Sequence, residues 1–324
     1  MEQAVNNQSN QMVEVVFKVE EWFSGRRLDH YLSRRLIRYT RTEIQQIIRE
    51  RAMDRNGRAL RPSTPVRPGD EFIILYPQRQ ERECSSEIPI LYEDDYIMAV
   101  AKPPDMTVHP TARVQQNTLI VKLRGRQGEG EKKLLLCHRL DRETSGVTLL
   151  AKGSEVAARI VPKFESRDVE KEYLAIVCGE VLQDEGVIEL PLGPLPGKVR
   201  LKQGVDHGSG KPAETWFEVL ERVNGFTLVR ALPKTGRLHQ IRVHFAAIGH
   251  PLVGDKIYGP DEACFVEFIE RGFDDELKDK LLIRRHALHA ASLSFTHPVT
   301  GERLRIEAPL PGDLADFIAE RRIA

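Results

Sequence analysis

Residues 134–150 read Leu-Leu-Leu-Cys-His-Arg-Leu-Asp-Arg-Glu-Thr-Ser-Gly-Val-Thr-Leu-Leu, a polar segment between two apolar runs. The runs, at 134–137 and 147–150, predict two strands of a sheet. The Thr-Ser-Gly sequence at 144–146 is typical of a turn. Asp141 is therefore predicted to lie on a short connection that both strands hold in place.

Asp141 has an arginine close on each side, Arg139 and Arg142, and its nearest acidic neighbour is Glu143. Nearby positive charge lowers the pKa of a carboxyl group, so Asp141 is predicted to be ionised at neutral pH. An ionised carboxylate is suited to act as a nucleophile or a base. Taken alone, however, residues 139–142 are most often a surface turn with a structural ion pair.

The chain of 324 residues is long enough for about two domains. Its composition, 41% hydrophobic and 30% charged, is typical of a soluble protein, and no apolar run approaches the ~18 residues that a membrane span needs. The polar residues 1–10 have the features of neither a signal peptide nor a transit peptide. Four widely spaced cysteines predict neither a disulfide framework nor a zinc site, so we expect a cytoplasmic protein.

Charge is unevenly distributed along the chain, although its formal net charge is zero. Residues 26–61 contain eleven arginines, no lysine and four acidic residues, a local net charge of +7. Arginine binds phosphate through paired hydrogen bonds and stacks on bases, so the cluster predicts a nucleic-acid-binding surface. Its candidate RNA contacts are Arg27, Arg34 and Arg41. A solvated helix surface is the alternative explanation.

These arginines lie in a segment with its own pattern of secondary structure. Alternating apolar residues at 13–19 predict a strand, and a first helix has apolar residues at 28, 31, 32 and 36. Thr40 or Thr42 is predicted to cap a second helix, and the apolar run at 72–76 follows a turn. We predict a flexible tail at 1–12, a small α/β domain at 13–77 and a linker at 78–87.

Residues 88–324 are predicted to form a single α+β domain. The apolar patterns predict, besides the strands on either side of Asp141, strands at 96–102 and 172–178, hairpins within 216–231 and 292–307, and helices at 117–124, 155–164, 240–248 and within 261–283. Because hairpins outnumber helical crossovers, we expect a mixed, mainly antiparallel sheet with peripheral helices.

The segment 138–146, His-Arg-Leu-Asp-Arg-Glu-Thr-Ser-Gly, closely resembles the active-site signature of the RluA/RluD-type pseudouridine synthases, which isomerise uridine in structured RNA. The resemblance continues in order through further motifs: Lys102-Pro103-Pro104 with Val108-His109-Pro110, Lys171-Glu172-Tyr173, Gly236-Arg237-Leu238-His239-Gln240-Ile241-Arg242, Gly249-His250-Pro251 with Gly254-Asp255, and Leu288-His289-Ala290. Together they span about residues 88–312.

Residues 13–77 resemble a second known element, the S4-like RNA-binding module, whose helical pair follows the RNA backbone. The second helix of that module usually starts with Ser-Arg-Ser, and Thr40-Arg41-Thr42 stands there in this chain. The substitution keeps both the hydroxyl groups and the charge. The arginine-rich segment is thus expected to bind RNA.

The family resemblance implies roles for three residues of the predicted α+β domain. Asp141 corresponds to the catalytic residue, and Arg242 corresponds to an arginine that forms a salt bridge with it. If the helix begins at about Leu238, Arg242 lies one turn further on and can project into the cleft. Tyr173 corresponds to the residue that stacks on the flipped uracil; without the resemblance, an aromatic residue in a strand is more often core.

The resemblance also implies contacts with the RNA. Arg139 would occupy the gap that the flipped base leaves. The other candidate RNA-binding residues of this domain are His138, Arg237 and His239. Two positions depart from the family pattern: Leu238 stands where the family usually has Thr or Ser, whose hydroxyl could cap the helix, and Asp105 stands where Gly is frequent.

No cofactor and no metal ion are expected. The implied reaction breaks one glycosidic bond and forms another without a redox change. The histidines at 239, 244, 250, 286 and 289 lack Glu or Cys partners at zinc spacing. Gly208-Ser209-Gly210-Lys211 lacks the first glycine of a phosphate loop and predicts a tight turn instead.

The sequence therefore predicts an RNA pseudouridine synthase that acts as a monomer on large-subunit ribosomal RNA, with Asp141 as its catalytic carboxylate. Transfer RNA is the alternative substrate, and a catalytically silent RNA-binding ribosome assembly factor is the alternative function. A glycosidase would need a second carboxylate. The sequence leaves open whether Asp141 attacks C1′, adds to C6 of the base, or acts first as a base at C2′.

Overall fold

The computed structural model describes residues 12–20, 23–36, 40–77, 87–111, 114–196, 199 and 201–323. The chain divides into two compact units, Met1–Gln80 and Glu81–Ala324. The tail predicted at 1–12 and the linker predicted at 78–87 lie almost entirely outside the described residues. No helix within the described ranges is long and apolar enough to cross a membrane.

The first unit contains a three-stranded antiparallel sheet whose core is shared with two helices. Its elements are β1 (Met12–Lys18), α1 (Leu28–Arg35), α2 (Arg41–Arg51), β2 (Ala52–Asp54) and β3 (Glu71–Pro77), with β3 in the centre. The predicted apolar helix faces are buried, and Leu32 and Ile48 are fully inaccessible. Thr40 caps α2, because its hydroxyl accepts from the Glu43 amide while the Glu43 carboxylate accepts from the Thr40 amide.

The second unit is built on one large sheet. The strands of this unit are β4 (Ile90–Glu93), β5 (Ile97–Lys102), β6 (Leu134–Leu136), β7 (Ser145–Lys152), β8 (Glu170–Cys178), β9 (Glu185–Glu189), β10 (Leu192–Pro194), β11 (Gln203–Val205), β12 (Glu214–Val223), β13 (Phe226–Pro233), β14 (Leu288–Thr296) and β15 (Arg303–Glu307). Of these, β10 and β11 pair with each other as a separate two-stranded sheet. Its helices are α3 (Leu119–Arg124), α4 (Ser154–Glu165), α5 (Gln240–Ala247), α6 (Ala263–Arg271), α7 (Asp275–Leu281) and α8 (Gly312–Ile323).

The strand order of the large sheet is β4-β5-β7-β14-β8-β13-β12-β9, with β6 also paired to β7 and β15 to β14. Among the described strand pairs, β7 with β14 is parallel and the others are antiparallel. The prediction of a mixed, mainly antiparallel sheet with peripheral helices is thereby confirmed. The parallel pair brings residues 145 and 289 side by side at the centre of the sheet.

Helices cover both faces of this sheet. Along β5, Ile97 and Ala99 pack in a cluster that includes α4, whereas Met98 and Val100 pack in a cluster that includes α3. Alternate residues of a strand point to opposite faces, so both faces of β5 are buried. At the other end of the sheet, separate clusters include α5 and α8.

The structure corrects two boundaries next to the motifs. Ser145 and Gly146, predicted to be in a turn, are the first residues of β7, because they pair with β14. The helix predicted at 240–248 spans Gln240–Ala247, and the earlier start at about Leu238 considered for Arg242 is wrong, because His239 has a left-handed φ of 57° that a helix cannot include. Arg242 therefore lies in the first turn of α5.

Candidate active site

Asp141 lies on the connection between β6 and β7, here called the Asp141 loop (residues 137–144). The neighbouring Leu140 is buried in the core and anchors the loop. The Asp141 side chain itself is 21% exposed. The loop thus presents one carboxylate to solvent while its apolar neighbour points inward.

Two buried lysines hold the Asp141 loop from opposite sides. The ammonium of Lys102 donates to the carbonyl oxygen of Arg142 at 3.0 Å. The ammonium of Lys256 donates to both carboxylate oxygens of Glu143, at 2.9 and 3.0 Å. The Glu143 carboxylate also accepts from the backbone amide of His286 at 3.2 Å. These contacts fix the loop to chain segments that are distant in sequence.

Arg242 joins Asp141 to a second carboxylate. Its Nη1 donates to Asp141 Oδ2 at 3.0 Å, while Nε and Nη2 donate to the two oxygens of Asp255 at 2.7 and 2.8 Å. The backbone amides of Ile257 and Tyr258 also donate to Asp255. Asp255 is fully buried and Arg242 nearly so. The guanidinium is therefore fixed by Asp255, and its remaining Nη1 positions Asp141.

Both carboxylates are held in their ionised form. Burial acts to raise the pKa of Asp141, but the positive charge of Arg242 and the hydrogen bond from it contribute to a pKa below the ordinary value. The pKa of Asp255 is also lowered, against burial, by the charge and the hydrogen bonds of Arg242. At neutral pH the site thus contains an ionised, partly exposed carboxylate.

His239 also lies next to Asp141, with Nε2 3.8 Å from Oδ2, the same oxygen that Arg242 contacts. Burial and the charge of Arg242 lower the pKa of His239 to about 4, so the ring is neutral at pH 7. Its Nδ1 lies 2.7 Å from the hydroxyl of Tyr258, whose pKa burial raises to about 12. The Tyr258 hydroxyl already accepts from the Gln203 amide at 2.9 Å, which favours donation of its own proton to Nδ1. In that arrangement the ring proton of His239 is on Nε2, facing Asp141.

The turn before α5 is organised by Gln240 rather than by a residue at position 238. Its side-chain oxygen accepts from the Thr235 hydroxyl at 2.6 Å and from the Arg237 amide at 3.0 Å. Its side-chain nitrogen donates to the carbonyl oxygen of Glu214. The described structure therefore assigns no capping role to position 238, and Leu238 leaves the turn intact.

Tyr173 lies on β8, opposite Ala231 of β13 and Ala290 of β14. Its ring packs against the core, and burial together with the negative charge of Asp141 raises the pKa of its hydroxyl. The hydroxyl is therefore protonated at neutral pH. The effect of the Asp141 charge on this hydroxyl indicates that Tyr173 lies near Asp141.

The other candidate RNA contacts of this unit differ in their surroundings. Arg139 is exposed on the Asp141 loop, and Arg237 donates to the carbonyl oxygen of Pro212 at 3.1 Å. His138, by contrast, stacks on Phe164 of α4 with 4.7 Å between ring centroids. Its Nε2 accepts from the Leu149 amide, and burial lowers its pKa to about 3. This geometry favours a structural role for His138 over an RNA contact.

Asp105, which departs from the family pattern, has a φ of 62°. Left-handed backbone favours glycine, which accounts for the glycine that the family often has there. The Asp105 carboxylate lies 3.6 Å from Arg142 and 3.8 Å from Arg284. The side chain thus adds an ion-pair connection to the Asp141 loop that glycine could not make.

In the first unit, the buried carboxylate of Asp29 contacts two of the candidate arginines, Arg27 and Arg41. Asp29 is fully buried and accepts two hydrogen bonds of 3.0 Å from Arg27 and one of 2.9 Å from Gln45, with Arg41 at 3.6 Å. The hydrogen bond from Arg27 is the main cause that lowers the pKa of Asp29 to about 2. Arg34 is exposed. Arg27 lines a shallow cleft together with Gln45, Arg49, Arg61, Pro62 and Ser63.

Sequence reasoning did not assign a role to Asp255, Tyr258 or Lys102. Asp255 was identifiable as part of a motif, and a buried acid requires a cationic partner, but its pairing with Arg242 depends on a turn that periodicity does not encode. Tyr258 and Lys102 contact the site through their side-chain ends. Within the described residues, no three His, Cys, Asp or Glu side chains form a cluster that could hold a metal ion.

Comparison with known proteins identifies two matching family models. Residues 96–247 match the model "RNA pseudouridylate synthase", and residues 26–72 match the "S4 domain" model. A Bacillus subtilis protein, "Uncharacterized RNA pseudouridine synthase YlyB", is 33% identical over 96% of this chain and 99% of its own length. Both resemblances found in the sequence motifs are thereby confirmed.

Two further relatives are named as ribosomal enzymes. "Ribosomal large subunit pseudouridine synthase D" of Xanthomonas campestris is 33% identical over 92% of this chain and 90% of its own length. "Ribosomal large subunit pseudouridine synthase C" of Salmonella typhimurium is 36% identical over 90% of this chain and 91% of its own length. Among solved structures, "Human RNA Pseudouridylate Synthase Domain Containing 4" superposes with a TM-score of 0.57 at 27% identity, covering 72% of this chain and 93% of that one.

Proposed function

Because the chain belongs to the RNA pseudouridine synthase family, we propose that it converts specific uridines of large-subunit ribosomal RNA into pseudouridine, with Asp141 as the catalytic carboxylate. The observation that carries the proposal is the Asp255–Arg242–Asp141 chain of hydrogen bonds. It ends in the exposed edge of an ionised carboxylate. A binding protein without activity would have no use for such a group in a basic site.

The choice of substrate rests on the relatives. The Xanthomonas and Salmonella proteins are named for the large ribosomal subunit, and each aligns along nearly the whole of this chain, including the S4 domain. A second RNA-binding domain suits a large, folded RNA better than a short stem-loop. The Xanthomonas and Salmonella proteins belong to bacteria, whose ribosomal RNA is made in the cytoplasm, so we propose that this enzyme also acts in the cytoplasm. We also propose that it acts as a monomer.

The reaction requires that the N1–C1′ bond breaks, that the uracil rotates, and that C5 forms the new bond to C1′. C5 loses a proton and N1 gains one, so the atoms balance without an oxidant or reductant. Attack on C1′, addition to C6 and proton removal at C2′ are the possible first steps of Asp141, and each requires its ionised form. Arg242, as a positioning residue, keeps Asp141 ionised and aimed at the substrate.

The target uridine must leave its stack to reach Asp141. Flipping costs a few kcal/mol, and less in a loop, so a loop uridine is the favoured target. We propose that the Tyr173 ring stacks on the flipped uracil and that the exposed Arg139 occupies the gap in the RNA. Arg237 and His239 would contact the same nucleotide region, and Arg27, Arg34 and Arg41 of the S4 domain would contact phosphates.

Pseudouridine mapping of total RNA tests this proposal. RNA from cells with and without the gene is treated with carbodiimide, and the adducts are read as reverse-transcriptase stops. A few clustered uridines of large-subunit ribosomal RNA should lose their modification. Loss confined to transfer RNA would overturn the substrate but not the chemistry, and no change in any RNA would contradict the proposed activity.

A further inference from the structure

A second basic cleft lies in the unit that contains Asp141, at the start of β8 and the end of β13. It is called here the Lys171 cleft, and its lining residues are Arg167, Val169, Glu170, Lys171, Glu214, Leu232, Pro233 and Lys234. None of its cations has a role in the proposed reaction. The cleft therefore needs its own explanation.

The cations of the Lys171 cleft lack acidic partners, whereas its acids have partners. Within the described part of the chain, no carboxylate lies at ion-pair distance from Arg167, Lys171 or Lys234. The carboxylate of Glu170 pairs with Arg303 at 2.8 Å, whereas that of Glu214 accepts from the neutral indole of Trp216 and keeps its charge, so the three cations outnumber the one remaining negative charge. The charge left for a ligand is therefore positive.

Lys171 is the most confined of these cations. Its ammonium donates to the carbonyl oxygen of Thr235 at 3.2 Å. Burial, together with the charge of Arg167, lowers the pKa of Lys171 to about 8. A partly dehydrated ammonium without a counterion is unfavourable, so an incoming anion would stabilise it.

Arg167 occupies a strained backbone position. It follows α4 with a φ of 69°, where a helix usually ends in glycine, because other residues are strained there. Its side chain is exposed. Arg167 is one of the residues that line the cleft, so a second cation is available there to a bound anion.

The cleft adjoins the proposed site of the flipped base. Lys171 and Tyr173 lie two residues apart on β8, so their side chains leave the same face of the strand, roughly 7 Å apart. The carbonyl oxygen that Lys171 contacts belongs to the turn that leads into His239 and Arg242. A nucleotide chain that places its base on Tyr173 would run past Lys171.

We infer that the Lys171 cleft binds a backbone phosphate of the substrate RNA next to the target uridine, through Lys171, Arg167 and Lys234. The inference rests on the proposed function for the identity of the RNA. Phosphate is the anion that matches these groups, because ammonium and guanidinium donors bind its oxygens with charge-assisted hydrogen bonds. The site would fix the nucleotide chain while Asp141 acts on the sugar or the base.

The test uses the full chain and an unmodified transcript of large-subunit ribosomal RNA. Dissociation constants are measured over a range of NaCl concentrations for the wild type, Lys171→Met and Arg167→Gly. Arg159→Gln, which removes an exposed charge from α4 about two turns earlier, is the matched control. Each cleft variant should bind about tenfold more weakly, and its slope of log Kd against log salt should fall by about 1. Arg159→Gln should change neither.

Melting temperatures and one further variant, Lys171→Arg, separate effects on binding from effects on folding. Arg167→Gly relieves the strained backbone, so its melting temperature should be unchanged or higher while RNA binding weakens. Lys171→Arg keeps the charge and should restore the salt slope lost in Lys171→Met. Unchanged Kd and slope in Arg167→Gly and in a folded Lys171→Met would overturn the phosphate site. So would weaker binding in Lys171→Met that Lys171→Arg does not restore.

Turnover in the same preparations distinguishes this inference from the proposed function. An active wild type whose cleft variants bind RNA normally would contradict the phosphate site alone. A wild type that forms no pseudouridine, with cleft variants that still bind RNA more weakly, would contradict the proposed activity alone.

Discussion

Arg242 contacts two carboxylates, and the difference between them explains their separate roles. Asp255 is fully buried and receives two hydrogen bonds from the guanidinium, whereas Asp141 receives one and keeps an exposed edge. A buried charge is costly unless it is paired, so Asp255 and Arg242 depend on each other. Asp141, with a free edge, is the carboxylate that a substrate can reach.

The charges of this site predict how activity depends on pH. The pKa of Asp141 is held below its usual range, so the carboxylate is ionised throughout the interval from about pH 5 to about pH 8. His239, with a pKa lowered to about 4, is neutral over the same interval. Titration of Asp141 or of His239 should therefore cause no change in the single-turnover rate constant, measured at saturating enzyme, within this pH interval. A loss of rate on acidification with a midpoint near the ordinary histidine pKa, in protein whose tryptophan fluorescence shows it still folded, would contradict this.

At the scale of elements, the parallel contact between β7 and β14 fixes the exit of the Asp141 loop. Gly146 has a φ of 114°, and a Cβ on it would lie 2.1 Å from the carbonyl oxygen of Ala290. The Ser145 hydroxyl next to it lies 2.9 Å from Nδ1 of His289. The glycine thus allows the close backbone approach that brings the loop and β14 together.

The substitution Gly146→Ala tests this approach. Its methyl group would collide with backbone, which cannot move without breaking the strand pairing, so we expect a loss of about 3 kcal/mol or more in the free energy of unfolding. Gly301→Ala is the control, since Gly301 also has a positive φ, 78°, but open space around it, and should lose only about 1 kcal/mol. Equal midpoints in the urea unfolding curves of the two variants would contradict the prediction that the contact with Ala290 makes Gly146→Ala more destabilising.

Elements governed by local pattern were predictable from the sequence. The alternating residues of β12 and β13, the cap at Thr40 and the apolar runs on either side of Asp141 all agree with the structure. α8 is absent from the predicted elements, although Leu314, Phe317 and Ile318 have helical spacing. The short strands β9, β10 and β11 are also absent from the predicted elements, because such segments are too short to show a recognisable periodicity.

Features governed by distant contacts were not predictable. No periodicity pairs Ser145 with His289, places Asp255 against Arg242, or turns His138 toward Phe164. The left-handed backbone of Asp105 and His239 depends in the same way on the surrounding structure. The motifs therefore indicated that Asp141, Arg242 and Tyr173 act together, but only the fold shows how Asp255 and Tyr258 contribute to the geometry.

At the scale of the whole molecule, the net charge is zero, but the positive charge and the Asp141 site lie in different units. The local charge of +7 at 26–61 lies in the unit that matches the S4 domain, and the Asp141 site lies in the other. Each unit has a hydrophobic core of its own. We therefore expect RNA affinity and catalysis to be separable by truncation.

Deletion of residues 1–82 tests this separation. The remaining unit should fold on its own core, bind RNA more weakly than the full chain, and show a flatter salt dependence, because fewer phosphates are neutralised. Cooperative thermal unfolding of the fragment is the control for folding. If the fragment binds structured RNA with the affinity and the salt slope of the full chain, the arginine-rich unit has another partner.

The central claim is that Asp141 is the catalytic carboxylate, and tritium release from ribosomal RNA labelled at C5 of uridine tests it most directly. Asp141→Asn keeps the shape of the side chain but removes its charge and basicity. We expect the variant to bind the RNA with nearly unchanged affinity and to release no tritium above background, while the wild type releases tritium in proportion to the pseudouridine formed. Turnover by Asp141→Asn within about tenfold of wild type, a difference of only about 1.4 kcal/mol in the barrier, would contradict the claim.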